Sequence, residues 1–161
     1  MGLILENEND VIAVLQLIDK RRETLPYKAN AHLVEILEKE VIDLRKIVAE
    51  NSKMLNQWGY EFLTLGAITL HILEIRLRRL FDKQKFAKFL MEKHRRYGGA
   101  PLMAWKEIGI LMRVDSKVAR IINLIDDEEL GDNEESIEDT LQDIIGYCVL
   151  GYRLEDRSNE H

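Results

Sequence analysis

The chain has the size and composition of a single globular domain. It has 161 residues, of which 46% are hydrophobic and 32% charged, and this balance excludes an intrinsically disordered chain. The net charge of −6 disfavours generic binding of nucleic acid, and the single cysteine, Cys148, excludes an intrachain disulfide and a multi-cysteine zinc site.

Helix breakers are scarce along the whole chain. Only nine glycines and two prolines are present, so we expect helices throughout. The N-terminus lacks a basic segment followed by an apolar run. We therefore expect a cytoplasmic protein without a signal peptide.

The first predicted helix covers residues 9 to 25. Asn9 or Asp10 is its expected N-cap, and Pro26 ends it. The basic residues 20–22 lie near its C-terminal end, where the helix dipole favours cations. This placement explains them more simply than contact with an acidic partner does.

The second predicted helix covers residues 30 to 57 and carries an apolar seam. The seam predicts either an antiparallel helical hairpin or a homodimer contact, and it consists of Leu37, Val41, Leu44, Val48 and Leu55. Charged residues between these positions are typical of a solvated face; they include Glu35, Glu38, Glu40 and Asp43.

The third predicted helix, residues 59 to 81, is the most apolar segment. It is too short and too interrupted to span a bilayer, which needs about 20 apolar residues. A helix that is apolar nearly all round indicates a central core helix. His71 and Glu74 are three residues apart on it and form either a core pair or a metal or general-base pair. The core pair is the simpler interpretation, because no second histidine lies at ligand spacing. Glu61 is a further carboxylate at the start of this helix.

Residues 76 to 96 are strongly basic for an acidic chain. These cations either cradle phosphates or balance the acidic second and last helices, and the sequence favours neither. Gly98 and Gly99, just before Pro101, then break the chain and lead into the next helix.

Two helical stripes of opposite charge follow this break. The first, the cationic stripe, is spaced by three or four residues over an arc of about 120° and consists of Trp105, Gly109, Arg113, Lys117, Arg120 and Leu124. The second, the acidic stripe, consists of Glu135, Asp139 and Asp143 within about 80°. Carboxylates bind a hard cation such as Mg²⁺, and cations suit phosphate. The stripes therefore predict a metal–phosphate site, or else a ladder of salt bridges between the two helices.

The two stripes and their flanking residues resemble the nucleotide modification associated domain, first type. The resemblance covers about the last third of the chain, and the residues that carry it are Tyr97-Gly98, Trp105, Gly109, Arg113, Lys117, Arg120, Leu124, Glu135-Ser136, Asp139-Thr140, Asp143 and Tyr147. The family pattern has an aspartate directly before the lysine. Here Ser116 occupies that position, and Asp115 comes one place earlier.

The resemblance implies both a fold and an activity. The family is all-helical, common in bacteriophages, and similar to the all-α nucleoside triphosphate pyrophosphohydrolases. It implies Mg²⁺-dependent hydrolysis of (deoxy)nucleotides in phage-type nucleotide metabolism, with Glu135, Asp139 and Asp143 as catalytic metal ligands. Arg113, Lys117 and Arg120 would hold phosphate oxygens, and Tyr97, Trp105 or Tyr147 would stack on the base. The E-x-x-E spacing in the second helix is similar to the acidic motif of the pyrophosphohydrolases, although an ordinary solvated face fits it better.

The fold prediction is an all-α bundle of five or six helices in one domain, residues 1–161. Residues 1–96 supply the N-terminal helices, and residues 97–156 supply the segment that resembles the family. Besides the Mg²⁺-dependent hydrolase, two other functions fit: a non-catalytic nucleotide binder, and a helical interaction protein whose two stripes neutralise each other.

Overall fold

Six helices make up the architecture, seen in a computed structural model that describes residues 4–26, 32–49, 57–97, 100–126 and 133–159. The helices are α1 Glu8–Glu23, α2 Leu33–Ala49, α3 Gln57–Leu77, α4 Lys83–Tyr97, α5 Ala100–Asp126 and α6 Asn133–Asn159. These ranges contain no strand, so the predicted all-α bundle is confirmed. Among the described helices, none is long and apolar enough to cross a membrane.

Helix α3 lies at the centre of the bundle, as its composition predicts. It packs against α1, α2 and α6. Helix α6 also packs along α5, while α2 bridges α3 and α5, and α4 packs on α1. The fully buried residues of α3 include Phe62, Leu65, Ile68 and Leu73. The bundle therefore has one continuous core, and α3 and α6 form its largest internal contact.

Two glycines allow α3 to approach its neighbours closely. A Cβ atom added to Gly66 would lie 2.8 Å from the Cδ1 atom of Ile18 in α1. A Cβ atom added to Gly151 would lie 2.7 Å from two ring atoms of Phe62. The aromatic ring is rigid and fully buried, so the contact between α6 and α3 at Gly151 has no room for a side chain.

We expect Gly151→Ala to lower the free energy of unfolding by about 1–3 kcal/mol, because the added methyl group overpacks the core against Phe62. This cost outweighs the gain in helix propensity from glycine to alanine, about 1 kcal/mol. Gly146→Ala is the matched control on the same helix. Its Cβ atom would lie 3.2 Å from the flexible end of Leu90 and at an ordinary contact distance of 3.8 Å from Cζ of Phe86.

Urea unfolding followed by circular dichroism measures both variants. A Gly151→Ala protein as stable as the unmodified protein would contradict the prediction, because the overpacking cost would then be no larger than the gain in helix propensity.

The start of α1 differs from the prediction. The N-cap is Asn7, not Asn9 or Asp10, and Asp10 is instead the third helical residue. The Asn7 side chain accepts a hydrogen bond from the Asp10 backbone at 3.2 Å, and the Asp10 carboxylate accepts from the backbone of Glu6 at 2.7 Å and of Asn7 at 3.3 Å. This reciprocal capping box satisfies backbone donors that a later start would leave unpaired.

The end of α3 also differs, since the helix ends at Leu77 rather than at residue 81. Arg78 takes a left-handed conformation with φ of 56°, and its N–H donates to the Glu74 carbonyl at 2.9 Å. The Glu74 carboxylate accepts from the Phe81 N–H at 2.7 Å, and Asp82 accepts from the Lys85 N–H at 3.0 Å. Two carboxylates therefore accept hydrogen bonds from backbone N–H groups at this break between α3 and α4, which contains no glycine or proline.

The apolar seam of α2 is covered within one chain. Leu37, Val41 and Leu44 are buried, and α2 packs against α3 and α5. The side chains of Val48 and Leu55 lie outside the described residues. The hairpin-type interpretation of the seam therefore needs no second copy, and the homodimer stays a prediction without support from these residues.

Candidate functional site

The acidic stripe meets two lysines from two other helices at Asp143. Lys93 of α4 and Lys117 of α5 approach separate carboxylate oxygens of Asp143, each with an N–O distance of 3.2 Å. All three side chains are half-buried. Lys117 and Asp143 were predicted to share a site, and the structure brings them together. Lys93 was not singled out, because 50 residues separate it from Asp143.

Asp139 lies one turn before Asp143 on the same face of α6. It is exposed and forms no ion pair with any other residue in the described part of the chain. Arg113 and Arg120 of the cationic stripe are also exposed, whereas Tyr147 is half-buried one turn after Asp143. The side chains of Tyr97, Trp105 and Glu135 lie outside the described residues, so their predicted roles are not placed.

The described carboxylates suit Mg²⁺ only together with a phosphate ligand. Across the described residues, no group of three or more histidine, cysteine, aspartate or glutamate side chains is placed to hold a metal ion. Asp139 and Asp143 supply two carboxylates of the kind that Mg²⁺ prefers. Mg²⁺ is often held by one or two carboxylates and by substrate phosphates rather than by a cage of protein ligands. The neighbouring lysines are suited to bind those phosphates.

Asp115 takes part in a different contact. It accepts hydrogen bonds from both Nε and Nη2 of Arg45 on α2, the first at 2.6 Å. This fork-like contact raises the pKa of the Arg45 guanidinium. Asp115 therefore joins α5 to α2 and does not belong to the lysine–carboxylate contact around Asp143.

A second group of carboxylates meets between α2 and α3. Glu61 lies in hydrogen-bonding contact with Glu40, and Asp43 adds a further negative charge. Burial, followed by the contact with Glu40, raises the pKa of Glu61 to about 7. Glu35 and Glu38, the other acids of α2, are exposed. The predicted solvated face of α2 is therefore only partly solvated. Glu40 and Asp43 at its edge lie beside Glu61, whose carboxyl group can hold a proton at neutral pH.

Arg21 is a cation whose charge acts on this carboxylate group. Its charge opposes the rise in the pKa of Glu61. Its guanidinium lies 4.5 Å from the centre of the Tyr60 ring, and its Nε donates to the Thr64 hydroxyl at 2.9 Å. The basic residues 20–22 do lie in the last turn of α1, as the helix-dipole interpretation predicts. Arg21 in addition bonds across to α3.

His71 and Glu74 are joined through Arg22 of α1. Arg22 pairs with the Glu74 carboxylate, and its Nη2 lies 2.6 Å from Nδ1 of His71. Since arginine only donates, Nδ1 accepts and Nε2 carries the hydrogen. That Nε2 atom is buried and has no partner among the described residues. Burial, and then the charge of Arg22, lowers the pKa of His71. The core pair predicted here is therefore a triad, in which Arg22 contacts Nδ1 of His71 and one carboxylate oxygen of Glu74.

Comparisons of the chain with models of protein families, with curated proteins and with solved structures found no match. The resemblance to the nucleotide modification associated domain therefore rests on the residues of the two stripes and of their flanks alone.

Glu61→Gln is expected to raise the free energy of unfolding at pH 8 by about 1 kcal/mol and to change it little at pH 5. The folded pKa of Glu61 is about 7, above its ordinary value of 4.5. Between these values the folded protein holds a proton that the unfolded chain has released, so the free energy of unfolding falls as the pH rises. Glutamine removes this penalty at high pH.

Urea unfolding at pH 5 and pH 8 measures the effect. Glu35→Gln, on the exposed side of α2, is the control and should change stability equally at both pH values. If Glu61→Gln also changed the free energy of unfolding equally at both pH values, the raised pKa of Glu61 would be contradicted.

Proposed function

We propose that this protein binds nucleotides and hydrolyses them with Mg²⁺, in the manner of the all-α nucleoside triphosphate pyrophosphohydrolases. The observation that carries the proposal is the convergence of Lys93 and Lys117 on Asp143. Beside it lies the exposed Asp139, which has no ion pair with any described residue. Cations from two helices and carboxylates from a third thus lie within one surface region.

The weakness of these ion pairs supports the proposal. The side chains of Lys93 and Asp143 are 41% and 23% exposed, and pairs so exposed stabilise a protein by only about 1 kcal/mol or less. A nucleotide phosphate can therefore replace Asp143 as the partner of both lysines at little cost. Asp143 would then be available, with Asp139, to hold the metal ion.

The roles of the individual residues follow from their charges. Asp139 and Asp143, with Glu135, would ligate Mg²⁺. Lys93 and Lys117 would hold phosphate oxygens, joined by Arg113 and Arg120 of the cationic stripe. The metal, when bound, neutralises phosphate charge and lowers the pKa of a bound water.

Tyr147, half-buried one turn from Asp143, is the described aromatic residue suited to contact the base, with Tyr97 and Trp105 as further predicted contacts. In this proposal the protein acts in the cytoplasm as a homodimer.

A second candidate, the helical interaction protein, is favoured by the same contact. Lys93, Lys117 and Asp143 already neutralise one another and hold α4, α5 and α6 together. In that case the acidic stripe is a structural element, and Mg²⁺ has no role. A non-catalytic nucleotide binder differs from the main proposal only in the absence of turnover.

Asp139→Asn separates these functions, because Asp139 has no ion pair in the described chain to lose. We expect the variant to fold with unchanged stability and to lose the gain in melting temperature that Mg²⁺ and nucleotide give the unmodified protein. That gain corresponds to about 2.7 kcal/mol at a hundredfold excess of ligand over its dissociation constant. Asp143→Asn should lose the same gain and also about 1 kcal/mol of intrinsic stability.

Thermal unfolding with and without Mg²⁺, at constant ionic strength, measures both variants against Glu138→Gln on the same helix. Release of phosphate or pyrophosphate from a panel of nucleoside and deoxynucleoside triphosphates distinguishes hydrolysis from binding. If nucleotide and Mg²⁺ leave the melting temperature unchanged while Asp143→Asn alone destabilises the fold, the contact is structural.

A further inference from the structure

Positive charge is concentrated in one stretch of this acidic chain. Of the 23 basic residues, nine lie between positions 76 and 96, together with only two of the 29 acidic residues. The protein therefore carries a basic segment on an otherwise strongly acidic chain. Electrostatic attraction is local, because charges are screened beyond about 8–10 Å at physiological salt. This segment can therefore attract anions although the net charge of the whole chain is negative.

Helix α4 displays much of this charge on its outward side. Its inward side is buried against the bundle through Phe86, Ala87, Leu90, Met91 and His94. Its outward side carries four exposed cations within an arc of about 100°; they are Lys85, Lys88, Arg95 and Arg96. We call these four residues the α4 basic face. Its acidic neighbours are the exposed Glu92, which lies on the same side of the helix, and the exposed Asp82, which accepts a hydrogen bond from the Lys85 N–H.

The α4 basic face is not neutralised by the rest of the described chain. Lys83 pairs with Asp19, and Lys93 pairs with Asp143. None of the four residues of the basic face forms an ion pair with any described residue. Four cations with only Glu92 and Asp82 beside them leave this face with a net positive charge, which a polyanion would neutralise.

An aromatic side chain lies at the edge of this face. Phe89 is 50% exposed, although the other phenylalanine of α4, Phe86, is buried. The Phe89 ring centre lies 5.9 Å from Nζ of Lys93. By its helical position Phe89 also neighbours Lys85, and Arg96 lies two turns further along the same side of the helix. A half-exposed ring among cations is suited to stack on a nucleobase while the cations contact phosphates.

We propose that the outward side of α4 binds single-stranded nucleic acid, with the α4 basic face on the phosphates and Phe89 stacked on a base. Phe89 is the only exposed large apolar side chain on the described α4, whereas a helix lying in a lipid surface presents a broad apolar face. The helix has 15 residues, and its length of about 22 Å accommodates several nucleotides. This site does not depend on the hydrolase proposal.

The test measures binding of a fluorescently labelled oligothymidylate of about 20 nucleotides by anisotropy, over a series of salt concentrations. The triple variant Lys85→Gln, Lys88→Gln, Arg96→Gln should bind at least tenfold more weakly. The slope of log affinity against log salt should become shallower by about 2, because three phosphate contacts are lost. Phe89→Ala should weaken binding about fivefold or more and leave the slope unchanged, because stacking does not release counterions.

The control is the triple variant Lys20→Gln, Lys39→Gln, Lys46→Gln, which removes the same charge from exposed positions on α1 and α2. It should bind almost as the unmodified protein does, and circular dichroism checks that all variants fold.

Three results would overturn the proposal. The two triple variants could weaken binding equally, the oligonucleotide could fail to bind at low salt, or the protein could bind phosphatidylserine vesicles but not the oligonucleotide. An unchanged affinity in Phe89→Ala would overturn the stacking contact.

Discussion

The close contact of α3 with its two neighbours is the constraint on which the rest of the molecule depends. Gly66 lets the side chain of Ile18 from α1 approach, and Gly151 lets the ring of Phe62 reach the backbone of α6. Because α6 packs along α5 as well, the position of α6 against α3 also determines where the acidic stripe meets the cations. A shift of α6 away from Phe62 would therefore move Asp143 relative to Lys93 and Lys117.

The molecule uses ion pairs of two kinds. Arg22 and Glu74 form a partly buried pair, with 26% and 12% of their side chains exposed, and Glu74 also caps the break after α3 through the Phe81 N–H. Removing either partner would leave a buried charge, which is costly. The two lysines that pair with Asp143 are more exposed, at 41% and 32%, so their attraction to it is screened more strongly by water and salt. The first kind holds α1 to α3, whereas the second can exchange its partners. The ion pairs that can change partners therefore lie on α6, whereas the ion pair between α1 and α3 is fixed.

Helix periodicity predicted the fold, because burial follows local spacing. The spacing of apolar residues along the sequence predicts which side chains of α2 and α3 are buried, and it predicts the buried Cys148 as well. Contacts between residues far apart in the sequence could not be predicted in this way. Lys93 lies in a basic segment with many equivalent cations, and only the packing of α4 selects it as the partner of Asp143. Arg45 and Asp115 are 70 residues apart. The raised pKa of Glu61 requires Glu40 to face it from another helix, and no pattern within α3 indicates that.

Cys148 has a practical consequence for following the motion of the bundle. Its Cβ atom lies 3.5 Å from where a side chain on Gly66 would begin, in the same region as Ile18. Burial raises the pKa of its thiol, which suppresses the reactive thiolate. A thiol reagent can reach the sulfur only when α6 moves away from α3. Since this is the only cysteine of the chain, the rate of its alkylation reports how often the natural protein opens at its centre, without an introduced label.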